Sequence, residues 1–218
     1  MLIDTLTLRR IFVNQMSPRN YKMTKRAAAL ADTRARIVAA TVEAHRELGV
    51  QPTSWDEIAR RAGVGVGTVY RHFRSLDDLL PACGRIVEET MALPTPDHIA
   101  HAFDGARSSR ARVQRLVQLV FDIYERAAPF IDNIRNERKR LPQLDPWHQM
   151  IESTLDALVR EALGPMSPNR AQSEIARALV DLATWQALKQ RDLAGDEIVE
   201  TVARLISFTT RSTQGTAR

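Results

Sequence analysis

"RRAGVGVGTVYRHF", residues 60–73, is the stretch on which the reading of the chain turns. Gly63, Gly65 and Gly67 alternate with valines, and Thr68 follows at once. Two chemistries use such a pattern: a glycine loop that cradles nucleotide phosphates, or a glycine turn between two short helices. A dinucleotide loop needs a buried strand in front of its glycines, because the tight turn must leave a parallel sheet. Here the preceding residues are "SWDEIARRA", 54–62, with helical spacing and two arginines where a central strand would be apolar. The glycines also miss the G-x-G-x-x-G spacing, since position 68 is Thr, and no lysine completes a P-loop. The spacing therefore predicts a helix-turn-helix. Ser54 with Glu57 three residues on reads as a capping box: the hydroxyl takes one free N–H and the carboxylate reaches back for another. Gly63 supplies the positive φ of the turn. Val64 fills the gap between the helices, and Ile58, Ala59, Val69 and Phe73 face inward.

On both sides the sequence is helical, with no useful length of strand-like alternation. A helix is predicted over 33–48, capped by Asp32 or Thr33 and ended by Gly49, with Ile37, Val38, Val42, His45 and Leu48 on its inner stripe. The second helix covers 54–62, a third runs from about Val66 to Phe73, and Ser75 with Asp78 caps a fourth over about 75–92. Farther on, helices are expected over 109–128, 146–163, 168–191 and 195–211, with Pro129 bending or breaking the chain before "FIDNIRNERKR". Ile175, Ala178, Leu179, Leu182 and Trp185 form the inner stripe of 168–191. Ile198, Val202, Leu205, Ile206 and Thr209 form that of 195–211, and the two helices make an antiparallel hairpin.

The 218 residues are 44% hydrophobic and 26% charged, enough to bury a core as a folded soluble protein. No apolar run approaches the roughly 18 residues of a membrane span, so no membrane partner is expected. One cysteine, Cys83, excludes an internal disulfide, and no Cys/His group has zinc-finger spacing. The first 24 residues lack a long apolar core and a small-residue cleavage site, so a cytoplasmic location is expected. The net charge of +5 is uneven. Residues 1–76 hold 13 Lys/Arg against 6 Asp/Glu, and residues 77–218 hold 18 against 20. A basic front beside a slightly acidic rear fits a front that meets a polyanion.

In order along the chain, "TRARIVAAT", Gly49, "SWDEIARRAGV", "GTVYRHF" and "SLDDLL" resemble the DNA-binding end of the TetR family of transcriptional regulators, over about 33–80. The remainder resembles the family only in its all-helical layout. The resemblance implies an all-α protein. Residues 28–76 form a three-helix helix-turn-helix DNA-binding domain and 77–218 a larger helical ligand-binding and dimerisation domain, while residues 1–27 are expected from their own sequence to be a disordered arm. The resemblance further implies a homodimer joined through the helices at about 168–191 and 195–211. Its partner is a roughly palindromic double-stranded DNA operator, usually as a repressor that a small molecule releases. No catalysis, cofactor or metal is implied. Arg34, Ser54, Thr68, Tyr70 and His72 fall where the family touches phosphate or sugar, and Val66, Gly67 and Arg71 where it reads base edges. Lys25 and Arg26 precede the first family helix and suit a minor-groove arm. Three departures stand out. Gly65 gives a weaker cap than the family's usual Ser, Ala or Thr; Leu76 replaces a common lysine, with Arg74 nearby as a substitute; His45 replaces a buried Phe.

For the effector, the resemblance points to the middle helices, with Phe121, Tyr124, Trp147, His148 and Met150 as candidate lining and Asn133 as a second polar group. Two other classes of function are kept in view. His98 and His101, spaced i, i+3 beside Asp97 and Asp104, would serve an all-helical metal-dependent enzyme. A regulator docked by a partner protein, without a small-molecule effector, would show a collapsed interior. The basic run "IRNERKRL", 134–141, reads as a solvated helix end.

Overall fold

The computed structural model describes residues 18–191 and 193–211. Among them all regular structure is helical: α1 (Pro18–Leu48), α2 (Trp55–Ala62), α3 (Val66–His72), α4 (Leu76–Met91), α5 (Pro96–His101), α6 (Ser109–Glu137), α7 (Asp145–Leu163), α8 (Arg170–Leu179), α9 (Leu182–Lys189) and α10 (Gly195–Arg211), with 3-10 turns at Pro142–Leu144 and Gly164–Met166. None of these helices is long and apolar enough to cross a membrane.

Two apolar clusters organise the chain. Ile37, Val38 and Val42 of α1 pack with Ile58, Val69 and Phe73 to form the head. The body gathers Leu116, Val117, Val120, Phe121 and Tyr124 of α6 against α7, α8 and α10. Leu79 and Cys83 of α4 and Phe130 of α6 complete the head cluster, so α4 and α6 tie head to body.

Four sequence expectations change. Residues 18–27, expected in a disordered arm, are the start of α1; residues 1–17 of that arm lie outside the described residues. The run from Thr24 to Asp32 is rich in Ala, Lys, Arg and Leu and free of Gly and Pro, so it extends the helix. Pro129 does not end its helix, and α6 runs on to Glu137. Its neighbours Ala127, Ala128, Phe130 and Ile131 are all buried, and that packing outweighs the lost backbone bond. The expected helix 168–191 is two helices, α8 and α9. Asp181 caps α9 by accepting from Ala183 N–H, and its carboxylate is bound by Arg135 at 2.8 and 2.6 Å and by Arg177 at 3.3 Å. Finally, Leu48, Ile175, Ala178 and Leu205, placed on inner stripes, are exposed. Their neighbours Ile198, Val202 and Ile206 do face inward.

Candidate nucleic-acid interface

The head begins with α1, whose arginines brace the turn. Arg36 Nη1 donates to the Ala62 carbonyl at 3.0 Å, and the Arg34 guanidinium lies 4.6 Å above the Phe73 ring. Helix α2 starts at Ser54, whose hydroxyl accepts from Glu57 N–H at 3.1 Å. The second half of the expected capping box does not form. Glu57 turns instead to Arg60 and Arg61, accepting at 2.6–2.8 Å. Hydrogen bonds from Arg60 first, then Arg61, hold its carboxyl at about 2. Two guanidiniums attract the carboxylate more strongly than one backbone N–H does.

Gly63 ends α2 in the left-handed region, φ +64°, and its N–H closes onto the Ala59 and Arg60 carbonyls. Only a residue without Cβ adopts this turn freely. Val64 packs against the head cluster, as its position in the turn predicts. Helix α3 comes next, with Gly65 as its N-cap and no side-chain hydrogen bond there. A Cβ on Gly65 or Gly67 would meet nothing within 4 Å. The folded protein thus does not require these glycines for packing. What they leave is a slim, open helix N-terminus whose free N–H groups point outward.

On α3, Val69 is fully buried and anchors the helix, while Val66, Gly67, Tyr70 and Arg71 are exposed and Thr68 and His72 half-buried. Arg71 Nη2 donates to Thr68 Oγ1 at 3.0 Å, which folds the guanidinium along the helix toward its N-terminus. The Tyr70 ring stacks on Trp55 of α2, centroids 5.0 Å apart and planes 26° from parallel. Sequence reasoning missed Trp55; an aromatic one residue past a helix cap, facing a second aromatic on the next helix, is the signal that was available. Ser75 caps α4 by accepting from Asp78 N–H, and Asp78 accepts from Arg74 N–H in return. Lys25 and Arg26 are exposed on the helical start of α1. A helix about 10–12 Å across is wider than a minor groove of about 6 Å, so phosphate contact is what this geometry offers them.

The ten residues expected to meet DNA all belong to the head, with Arg71 joined to Thr68 on α3 and Tyr70 stacked on Trp55, which follows Ser54. The five effector candidates are not gathered. Tyr124 is buried in the body and donates to the Val180 carbonyl at 3.0 Å, its ring tilted against Phe121 and Trp185. Phe121 lies at the base of an outer groove beside Trp185 and Asp196. His148 and Met150 are half-buried on α7. Trp147 alone lines the cavity between head and body, with His45, Cys83, Gly84, Phe130 and Asn133. His101 Nδ1 pairs with Asp104 at 3.1 Å on the surface, and no group of three metal-binding side chains occurs among the described residues.

Residues 37–83 match the family described as "Bacterial regulatory proteins, tetR family". The chain is 31% identical over 155 residues to the HTH-type transcriptional regulator BetI of Burkholderia thailandensis, an alignment spanning 68% of this chain and 77% of that protein. Against other curated relatives the alignments span less than half of the relative's length. Among solved structures, a transcriptional regulator from Rhodococcus sp. Rha1 superposes with a TM-score of 0.59 at 20% identity, over 82% of this chain and 96% of that one. The multidrug binding protein EbrR, complexed with proflavin, superposes at 0.53 and 20% identity, over 81% and 99%. At these identities the two structures show the shared fold.

Proposed function

Because the chain belongs to the tetR family of bacterial regulatory proteins, we propose that this DNA-binding transcriptional regulator acts as a homodimeric repressor, released from a palindromic operator by a small molecule. The open N-terminus of α3, with Arg71 folded along it and Thr68, Tyr70 and Ser54 at its side, carries the DNA reading. Helix N-terminal N–H groups and hydroxyls suit phosphates, and Arg71 suits the O6/N7 edge of guanine. Lys25, Arg26, Arg34 and His72 add contacts along the flanks, while Val66 and Gly67 approach the bases. With no basic side chain from 64 to 69, base reading falls on Arg71 and on close backbone approach.

Dimer formation is supported by the outer face of α8 and α10. Gln172 Nε2 donates to the Thr209 carbonyl and so joins α8 to α10, and Ile175 of α8 and Leu205 of α10 are both exposed. Phe208, 73% exposed, extends that apolar face, which a second copy would cover. Release by a small molecule is supported by the fold shared with proflavin-bound EbrR and by the cavity between head and body. A second reading, control by a partner protein with no small-molecule effector, is favoured by the size of that cavity, about 40 Å³. In keeping with a regulator, the protein is placed in the cytoplasm and given no catalytic role.

The test is selection of genomic DNA fragments by the purified protein at about 150 mM salt. Enriched fragments should share an inverted repeat with half-sites about 34–36 Å apart or a multiple of that. Their affinity should fall steeply with salt as counterions are released. Recovery of bulk DNA with no shared sequence would overturn the proposal.

A further inference from the structure

The cavity between head and body has features that packing alone does not explain. His45 is 6% exposed and lines it, and its imidazole has no hydrogen-bond partner among the described residues. A ring nitrogen that opens onto the cavity can pair with a molecule bound there. Around it the walls are apolar or neutral: Cys83, Gly84, Phe130, Asn133 and Trp147. Among the described residues no ionised side chain lines the space, and burial pushes the His45 imidazole down to about 4, so it too is neutral near pH 7.

Trp147 closes the outer side. Its ring lies so near α4 that a Cβ on Gly84 would come within 2.8 Å of Cζ2. Its Nε1 donates to Glu88 at 3.1 Å, a partly exposed bond at the first turn of α7. The cavity left inside, about 40 Å³, is far below the roughly 150 Å³ that admits a benzene ring. With the indole moved aside, the space grows by about the size of the indole itself.

We propose that this junction is the effector site, and that it takes an uncharged, largely apolar molecule with one hydrogen-bonding group, which displaces Trp147 and pairs with His45. The proposal rests on the ligand-responsive reading above. The link to DNA runs through the neighbours of His45. Asn133 Nδ2 donates to the His45 carbonyl at 2.7 Å, and Glu137, one turn on, accepts from Val50 and Gln51 N–H just after Gly49. A molecule wedged between His45 and Phe130 separates α1 from α6 at these bonds. Helix α1 carries Arg34 and Arg36, which brace Phe73 and the Ala62–Gly63 turn, so its shift reaches α3.

The probes are phenol and indole, with benzoate and benzylammonium as charged counterparts of similar size. Thermal melting reports binding, and fluorescence anisotropy with the selected operator reports release. In the wild type, phenol or indole raises the melting temperature and weakens operator affinity about tenfold or more, and the charged pair does neither. His45→Phe binds the operator as before and loses the response. Trp147→Ala, with no ring to displace, binds indole about tenfold tighter than the wild type. The proposal is overturned if neither neutral probe acts, if benzoate acts like phenol, if melting rises with operator affinity unchanged, or if His45→Phe still responds. A wild type that selects no operator without any probe instead overturns the regulator reading on which it rests.

Discussion

Glu137→Ala removes the carboxylate by which the body grips the backbone of the loop between α1 and α2. In the structure Oε1 accepts from Val50 N–H at 3.1 Å and Oε2 from Gln51 N–H at 2.6 Å. Gly49, at φ +93°, is where the carboxylate comes down; a Cβ there would collide with Glu137 Oε1. A hydrogen bond to a charged group contributes about 1.5–3 kcal/mol, and an orphaned buried donor costs about 1–3 kcal/mol. Gln51 is exposed, and water replaces much of what its N–H loses. Val50 is buried, so its N–H is left without a partner. The loss is thus about 2–3 kcal/mol, or about 4–12 °C in melting temperature for a domain of this size. Glu137→Gln keeps an oxygen for one donor and should lose about half as much. Urea unfolding followed by circular dichroism measures the change, and amide exchange at Val50 and Gln51 locates it. A loss below about 0.5 kcal/mol with unchanged exchange at both amides would refute the reasoning.

Arg71→Ala should relax operator preference at a single base position, by about 1–3 kcal/mol, in a scan of substituted operators; unchanged preference would remove Arg71 from base reading. Gly67→Ala should stabilise the free protein by about 0.5–1 kcal/mol, because the new methyl meets nothing and favours helix, yet weaken binding to every operator sequence. Tighter binding would show that DNA does not approach there. His45 gives a pH signature. Its folded-state value, about 4, lies below the ordinary 6.5, so the unfolded chain binds the extra proton first. Stability is full above about 6.5 and falls by about 3 kcal/mol as pH drops to about 4, a loss that His45→Phe should abolish in acid titrations of unfolding. Phe208→Asp should raise the dimer dissociation constant at least about a hundredfold, measured by sedimentation, with the fold retained; an unchanged dimer would place the interface elsewhere.

The head was legible because its devices are local. Gly63 needs a left-handed φ, Ser54 and Ser75 cap the helices that start beside them, and each signal lies within four residues of its effect. The body was legible as helix but not in its breaks. Asp181 splits the expected 168–191 helix because Arg135 reaches it from α6, 46 residues away. The grip of Glu137 on Val50 spans 87 residues, and the approach of Trp147 to Gly84 also joins distant segments. Such partners leave no periodicity, so a single sequence shows each residue without its counterpart. The effector candidates were not brought together for the same reason. Aromatics on the middle helices were all plausible lining, but Tyr124 found Val180 and a buried place in the core. His45 stood out as an odd residue on an apolar face, with nothing in the sequence to reveal the cavity beside it. The half-formed capping box has a nearer cause: Arg60 and Arg61 were in view, and their pull on Glu57 outweighs the box.

Amide hydrogen exchange with and without the selected operator tests most directly whether α3 is the reading head. Gly65 provides no side-chain cap, and α3 is only seven residues long, so its amides should exchange rapidly in the free protein. Addition of operator should slow exchange from Val66 to His72 and at the start of α2 behind Ser54, and leave α8 and α10 unchanged. Protection confined to the body, with α3 exchanging as fast as before, would contradict the assignment.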